Sequence, residues 1–352
     1  MSFKKATAAY SVAHFVVDFS CAFLIYNYLH GSSQWIMCLL AYNFFAFAMQ
    51  LPLGIVSDFT GKSSRFAALG CILVALSPLF RGLPLALCVF AGLGNGLFHI
   101  GAGRDVLSHS GGRYALLGVF VSPGAVGLYL GTIAGGQALI SPLIPAVLLV
   151  LSAVVIFILT GGKKPDEADK PKTRLQKPGL FAVLALLCLF LVVCLRSYVG
   201  MTLAFPWKGE GDWSLYLLLA LALGKAFGGF LADWLGATEA ALMSLLAAAI
   251  FFALYQEPVC GILAVFFFNM SMPITLGAAG RLLPEAKGFG FGLLTFGLFV
   301  GFLPVIMQLK NVLTLPWGFC AASALSAILL FIGLGGKRRL HAPDAIGSTE
   351  KS

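Results

Sequence analysis

Long apolar runs broken by short polar stretches dominate the chain. Residues 66–80, 83–103, 138–160 and 180–195 carry few or no charges. They approach the ~20 apolar residues that a helix needs to cross about 30 Å of hydrocarbon. The period-2 alternation of barrel strands is absent, and in lipid only helices or closed barrels satisfy the backbone. Twelve membrane-spanning helices are therefore predicted, at 8–29, 34–56, 64–80, 83–103, 114–137, 139–160, 179–205, 213–232, 238–255, 258–278, 288–309 and 313–335. The one long polar stretch, beginning GGKKPDEADKPKTR at 161, is rich in Pro and Lys and lacks helical periodicity. It reads as a flexible cytoplasmic linker over 161–178. The expected organisation is thus an all-α membrane protein with a six-helix unit at 1–160, a second at 179–336, and a disordered cytoplasmic tail at 337–352.

Composition agrees. The chain has 352 residues, 59% hydrophobic and 11% charged, where a soluble domain carries roughly 25% charged residues. The net charge of +9 would suit nucleic acid, but its placement follows membrane topology. With the N-terminus in the cytoplasm, eighteen of the 23 Lys and Arg residues fall inside. Arg81, Lys208 and Lys310 fall outside, and Arg196 and Lys225 lie within spans. This positive-inside bias puts both termini in the cytoplasm of a multi-pass protein of the cell (inner) membrane, with no nucleic-acid partner. All eight cysteines fall in predicted spans without zinc-ligand spacing, so they read as small apolar packers. The first segment follows Lys4 and Lys5 as a signal peptide would, but His14 and Asp18 inside it mark a retained span.

The halves echo each other. Asp58, in LPLGIVSDFTGKSSR, and Asp233, in GGFLADWLGA, are 175 residues apart; Arg104 and Arg281, each after a Gly/Ala cluster, are 177 apart. Parallel repeats of this kind belong to transporters that rock around a midplane site. Each acid is expected in the loop between the second and third spans of its half. Gly54, Gly61 and Lys62 surround the first, and Gly229 and Gly236 the second. There the carboxylate would accept bonds from a helix N-terminus or pair with a cation, latching one conformation. The plainer alternative is a capped turn among topology charges. Arg104 and Arg281 read as gate or topology residues at cytoplasmic helix ends.

These residues resemble the major facilitator superfamily, whose loop between spans two and three typically reads Gly-x-x-x-Asp-x-x-Gly-Arg-Lys. Gly54, Asp58, Gly61 and Lys62 match the first copy; Gly229, Asp233 and Gly236 match the second, which has no basic residue after Gly236. The resemblance implies two pseudo-twofold-related six-helix bundles and alternating access. Within the superfamily, GLGNGLFHIGAGRDVLSHSGGRYALLGVFVSPGAVGLYLG (92–131) looks like the fosmidomycin-resistance efflux branch, with HFVVDF and LRSYVGMTLAFP also similar. Ile100 stands where that branch usually has Pro, and Pro123-Gly124 reverses the antiporter order.

An ionisable group in lipid costs ~2.5–3.5 kcal/mol at a helix centre, so each is a functional candidate. His14 and Asp18 share one face of the first span and are the proton-coupling candidates; otherwise they tie that span to a neighbour. Arg196, deep in span seven, cannot shed its charge and must face Asp18, another acceptor, water or an anionic substrate. Lys225 points into a cavity or snorkels. His99 lines the cavity as a donor, or is satisfied by a backbone carbonyl. Arg196, His99 and Lys225 form the candidate substrate set, and their charge suits a small carboxylate or phosphonate. The span-five glycines, Gly118, Gly124, Gly127, Gly131 and Gly135, are expected to let helices approach closely.

With no Walker-type phosphate loop, the leading reading is a monomeric secondary active transporter without a cofactor and without enzyme activity. It exports a small, anionic drug or metabolite by proton coupling. The alternative is proton-coupled uptake of an organic anion or sugar. More remote are a non-transporting receptor and an intramembrane metal enzyme using His14, Asp18 and His99 as a partial metal site.

Overall fold

The computed structural model describes residues 3–160, 179–307, 309 and 316–335; the expected linker and tail, and Lys310, lie outside them. Fourteen α-helical segments follow one another: α1 (Phe3–Leu29), α2 (Trp35–Asn43), α3 (Gln50–Thr60), α4 (Ser63–Leu76), α5 (Pro84–His109), α6 (Tyr114–Gly136), α7 (Leu143–Thr160), α8 (Leu180–Thr202), α9 (Trp213–Leu235), α10 (Ala237–Ala253), α11 (Pro258–Asn269), α12 (Ser271–Leu282), α13 (Lys287–Ile306) and α14 (Pro316–Gly333). Two pairs are single spans with a break. Between α2 and α3 the helix widens to a π turn at Phe44–Ala48, where Met49 N–H reaches back to Phe44 O. Pro52 follows and cannot bond Ala48 O, so the chain re-registers there. Likewise Pro273 lacks the N–H that would bond Asn269 O, and α11 breaks from α12 at Met270. Joined across these breaks, the helices form twelve apolar spans, ten of at least 18 residues and two shorter. They pack as two six-helix bundles, α1–α7 and α8–α14.

Helix ends depart from the hydropathy-based bounds. α3 runs to Thr60 rather than 56, and α5 to His109 rather than 103. Asp58, expected in a loop, therefore sits in the last turn-and-a-half of α3; Asp233 sits in the same place on α9. Arg104 is inside α5 rather than at its end. Hydropathy stops at the first charge, whereas backbone hydrogen bonding continues through the membrane interface.

Small residues set the packing, because helices in lipid associate by close backbone approach. On α6, Gly127, Gly131 and Gly135 lie against the backbone carbonyls of Phe15, Phe19 and Phe23 on α1. Both series repeat every four residues, so one glycine ridge seats on one helix face. The phenylalanine rings stack along α1 with centroids 6.0 and 6.2 Å apart.

Two further seams join the bundles. On one, Gly118 of α6 meets the Lys225 carbonyl of α9, and Gly229 of α9 meets the Tyr114 carbonyl. Ser122 Oγ adds a bond to Ala222 O at 2.6 Å. On the other, Gly54 of α3 abuts the Gly288 carbonyl of α13, and Gly292 abuts that of Gln50. Both seams gather at the predicted cytoplasmic half, while Gly124 and the glycines after it turn to α1 instead.

A candidate coupling centre and its latches

Asp18 lies at mid-α1, with His14 one turn before it. The His14 Nε2–Asp18 Oδ2 distance is 3.1 Å. α5 supplies the rest. His99 Nε2 is 2.9 Å from His14 Nε2 and 3.7 Å from Asp18 Oδ1. Asn95 Nδ2 donates to Asp18 Oδ1 at 3.1 Å. The spacing of Asn95 and His99 on one helix face explains why both reach the same carboxylate.

The backbone fixes the tautomers. His14 Nδ1 is 2.8 Å from Phe120 O on α6, and His99 Nδ1 is 2.9 Å from Asn95 O. A carbonyl only accepts, so each Nδ1 carries the hydrogen and each neutral ring presents a bare lone pair at Nε2. Two bare nitrogens and a carboxylate therefore converge on one point. Such an arrangement demands a proton or another cation between them, since facing lone pairs repel. Asn95 adds to this. It is buried, and its Oδ1 has no hydrogen-bond partner among the described residues.

The facing bundle is cationic. Arg196 on α8 is buried and donates from Nη1 to Thr275 Oγ1 of α12 at 3.4 Å. Lys225 on α9 is half-buried, within electrostatic reach of Asp18, His99 and Arg196. Neither has a carboxylate at ion-pair distance among the described residues.

Below the centre lie the two acids of the repeat. Asp58 is fully buried. It accepts Gly288 N–H at 2.9 Å and Phe289 N–H at 2.7 Å, the first turn of α13 in the other bundle. Arg104 Nε donates to the same carboxylate at 2.8 Å, and its Nη1 donates to Ser63 Oγ. Asp233 mirrors this by accepting Tyr114 N–H at 2.7 Å and Ala115 N–H at 3.0 Å, the first turn of α6. Each acid thus caps a helix N-terminus across the bundle interface, where the helix dipole and free N–H groups welcome a carboxylate.

The copies differ in their arginines. Arg281 bonds Gly112 O at 2.9 Å and lies 4.5 Å from the Tyr114 ring centroid; Asp233 is exposed. Gly61 ends α3 in a left-handed cap at φ 65°, and Gly236 turns the chain at φ 96°. Lys62 is exposed and has no side-chain partner among the described residues.

Sequence reasoning did not find Asn95 or Thr275. It grouped His99 with His14 and Asp18 only under its remote metal-site alternative, and it did not see that each acid reaches the opposite bundle. One signal was present: Tyr114 and Gly288, the capped positions, are 174 residues apart, nearly the spacing of Asp58 and Asp233.

No family model matches the sequence, and no curated protein matches it. Solved structures do match. A crystal structure of the E. coli fucose:proton symporter FucP superposes with a TM-score of 0.68 at 13% identity, covering 95% of this chain and 99% of that one. FucP in the outward conformation, described as a major facilitator superfamily transporter, gives 0.65 at 13% identity over 93% and 99%. A bacterial homologue of the iron transporter ferroportin, in an outward-facing state, gives 0.57 at 16% identity over 93% and 97%. At these identities the likeness shows the fold.

Proposed function

We propose that this chain is a proton-coupled secondary transporter for a small anion, with His14, Asp18 and His99 as the coupling centre and Arg196 and Lys225 as the substrate cations. The observation that carries the reading is the 2.9 Å approach of two imidazole nitrogens whose other nitrogens are committed to carbonyls. A proton at that point converts one ring to an imidazolium, which donates to the other ring and to Asp18. Neither Arg196 nor Lys225 has a carboxylate at ion-pair distance among the described residues, and a buried charge without a close partner is costly. A carboxylate or phosphonate between the bundles would supply it. Alternating access then follows from the interface latches, with the protein acting as a monomer in the inner membrane and both termini cytoplasmic. No catalytic step and no cofactor enter this reading.

The sign of the electrostatics favours symport. Protonation makes the centre more positive, so proton and anion assist each other's binding rather than compete. The fold shared with a fucose:proton symporter supports the same direction. Export is the second reading, supported by the sequence resemblance of residues 92–131 to the fosmidomycin-resistance branch.

The test uses inverted membrane vesicles energised to an acid-inside pH gradient, with small anions, sugars and phosphonates either preloaded in the lumen, where symport draws on the gradient, or added outside, where antiport does. A substrate should dissipate the gradient in the native chain and leave it standing in Asp18→Asn. A substrate transported without any change in the gradient would sink proton coupling; gradient collapse only with cations would sink the anion assignment.

A further inference from the structure

We infer that the His14–Asp18–His99 centre also takes a divalent transition-metal cation, in the place the coupling proton occupies; this deepens the reading above and rests on the same site. Three observations point there. The three ligand atoms of His14, Asp18 and His99 all lie within 4.8 Å of one another. Imidazole nitrogens bound to zinc at ~2.0–2.1 Å stand ~2.9–3.4 Å apart for angles between about 90° and 109°. The observed separation is 2.9 Å, so the rings need open only slightly to hold a metal. Both rings also have the orientation that metal ligands need, because a backbone carbonyl on each Nδ1 aims Nε2 inward and raises its basicity.

Asn95 supplies the independent observation. Its buried Oδ1 has no donor among the described residues, while Nδ2 holds Asp18 Oδ1 at 3.1 Å. Exchange of the two amide atoms by a flip would bring the oxygen to the carboxylate, which is unfavourable unless a cation lies between them. The donor set would then be two nitrogens and two oxygens. That set suits Zn²⁺, Co²⁺, Fe²⁺ or Mn²⁺ and is too poor in oxygen for Ca²⁺ or Mg²⁺. Arg196 and Lys225 oppose a bare cation here, so a metal carrying a small anionic ligand satisfies both bundles at once. Cys21 Sγ accepts from the same Asn95 Nδ2 at 3.7 Å and donates toward Ala91 O, and it is not one of the three converging ligand atoms.

The experiment is Co²⁺ binding to the purified full-length chain, followed by d–d absorption and equilibrium dialysis, with Zn²⁺ as competitor. One Co²⁺ per chain is expected, with no thiolate charge-transfer band. Binding should weaken roughly tenfold or more in His99→Gln and in Asp18→Asn. It should be unchanged in His109→Ala, which removes the separate His109–Asp105 pair, 3.3 Å apart in the last turns of α5. Size-exclusion profiles check that each variant folds, and X-ray absorption on the native chain reports imidazole and oxygen ligands without any variant. No stoichiometric binding, equal binding in His99→Gln and the native chain, or a sulfur ligand would each overturn the inference. Its failure separates from failure of the transport reading. If Co²⁺ does not bind but Asp18→Asn still uncouples the pH gradient, the metal site falls and the proton site stands. Stoichiometric Co²⁺ binding with coupling intact in Asp18→Asn gives the reverse.

Discussion

Gly124 shows how one hydrogen atom can govern the centre. A Cβ there would land on His14 Nε2 and Asp18 Oδ2, the free ends of two side chains; at Gly127 it would land on the Phe15 carbonyl, which is backbone. Side-chain ends can swing away and backbone cannot, so the two alanine variants should fail differently. Gly124→Ala is expected to fold with near-native thermal stability and lose proton coupling in the vesicle assay, because the imidazole is displaced from its partner. Gly127→Ala is expected to lower the melting temperature of the detergent-solubilised protein, overpacking costing about 1–3 kcal/mol. Equal melting temperatures with equal transport loss would show that the ridge, and not the side-chain geometry, sets activity. His14 and Asp18 were legible in the sequence because ionisable groups in an apolar run stand out. Asn95 was not, since an uncharged amide among glycines looks like ordinary interhelical glue. The grouping of His99 with His14 and Asp18 entered only as a remote metal-site alternative, because periodicity reports which residues share a face of one helix and says nothing about which faces meet.

At the scale of elements, the repeated acids are alike in what they cap and unlike in what holds them. Asp58 is buried with Arg104 bonded to it, so Asp58→Asn breaks a buried ion pair, a loss of about 3–5 kcal/mol. Asp233 is exposed, and among the described residues its partners are the two backbone N–H groups. Asn caps about as well as Asp, so Asp233→Asn should fall within about 1 kcal/mol of the native protein. Melting curves of the two variants test this directly, and a larger loss at 233 than at 58 would refute the assignment. Repetition of the acid was readable from a spacing of 175 residues. The difference in partners was not, because Arg104 and Arg281 occupy matching places in the sequence yet only Arg104 turns toward its own acid. The helix breaks were half-legible. Pro52 and Pro273 advertise weak points, but a proline mid-span can also be absorbed by a smooth bend, so 34–56 and 258–278 read as continuous spans.

For the whole molecule, the location of the latches decides which state this is. The hydrogen bonds of Asp58, Asp233, Arg281 and Ser122 join the bundles near one face. Positive-inside bias predicts that this face is cytoplasmic, and on that premise we propose that the latches close the molecule toward the cytoplasm. Orientation is therefore a premise with its own check. Alkaline phosphatase fused after the last residue should be inactive and green fluorescent protein fused there should fluoresce; the opposite pair of results would place the latched side away from the cytoplasm. Given that orientation, cutting both latches must shift the population, because each acid binds a helix N-terminus only while the bundles touch. The shift is read from spin labels at Ser33→Cys and Gly209→Cys, exposed positions after α1 and α8, in a background whose partly exposed cysteines are alanine. Asp58→Asn with Asp233→Ala should shorten the distance between the labels as the far side closes. Moving the equilibrium from 1:99 to 99:1 takes about 5.5 kcal/mol, and the summed latch losses of ~3–5 and ~0.5–2 kcal/mol reach that scale. A distance distribution unmoved by the double substitution would mean that the glycine seams, rather than the carboxylate caps, hold the cytoplasmic side shut.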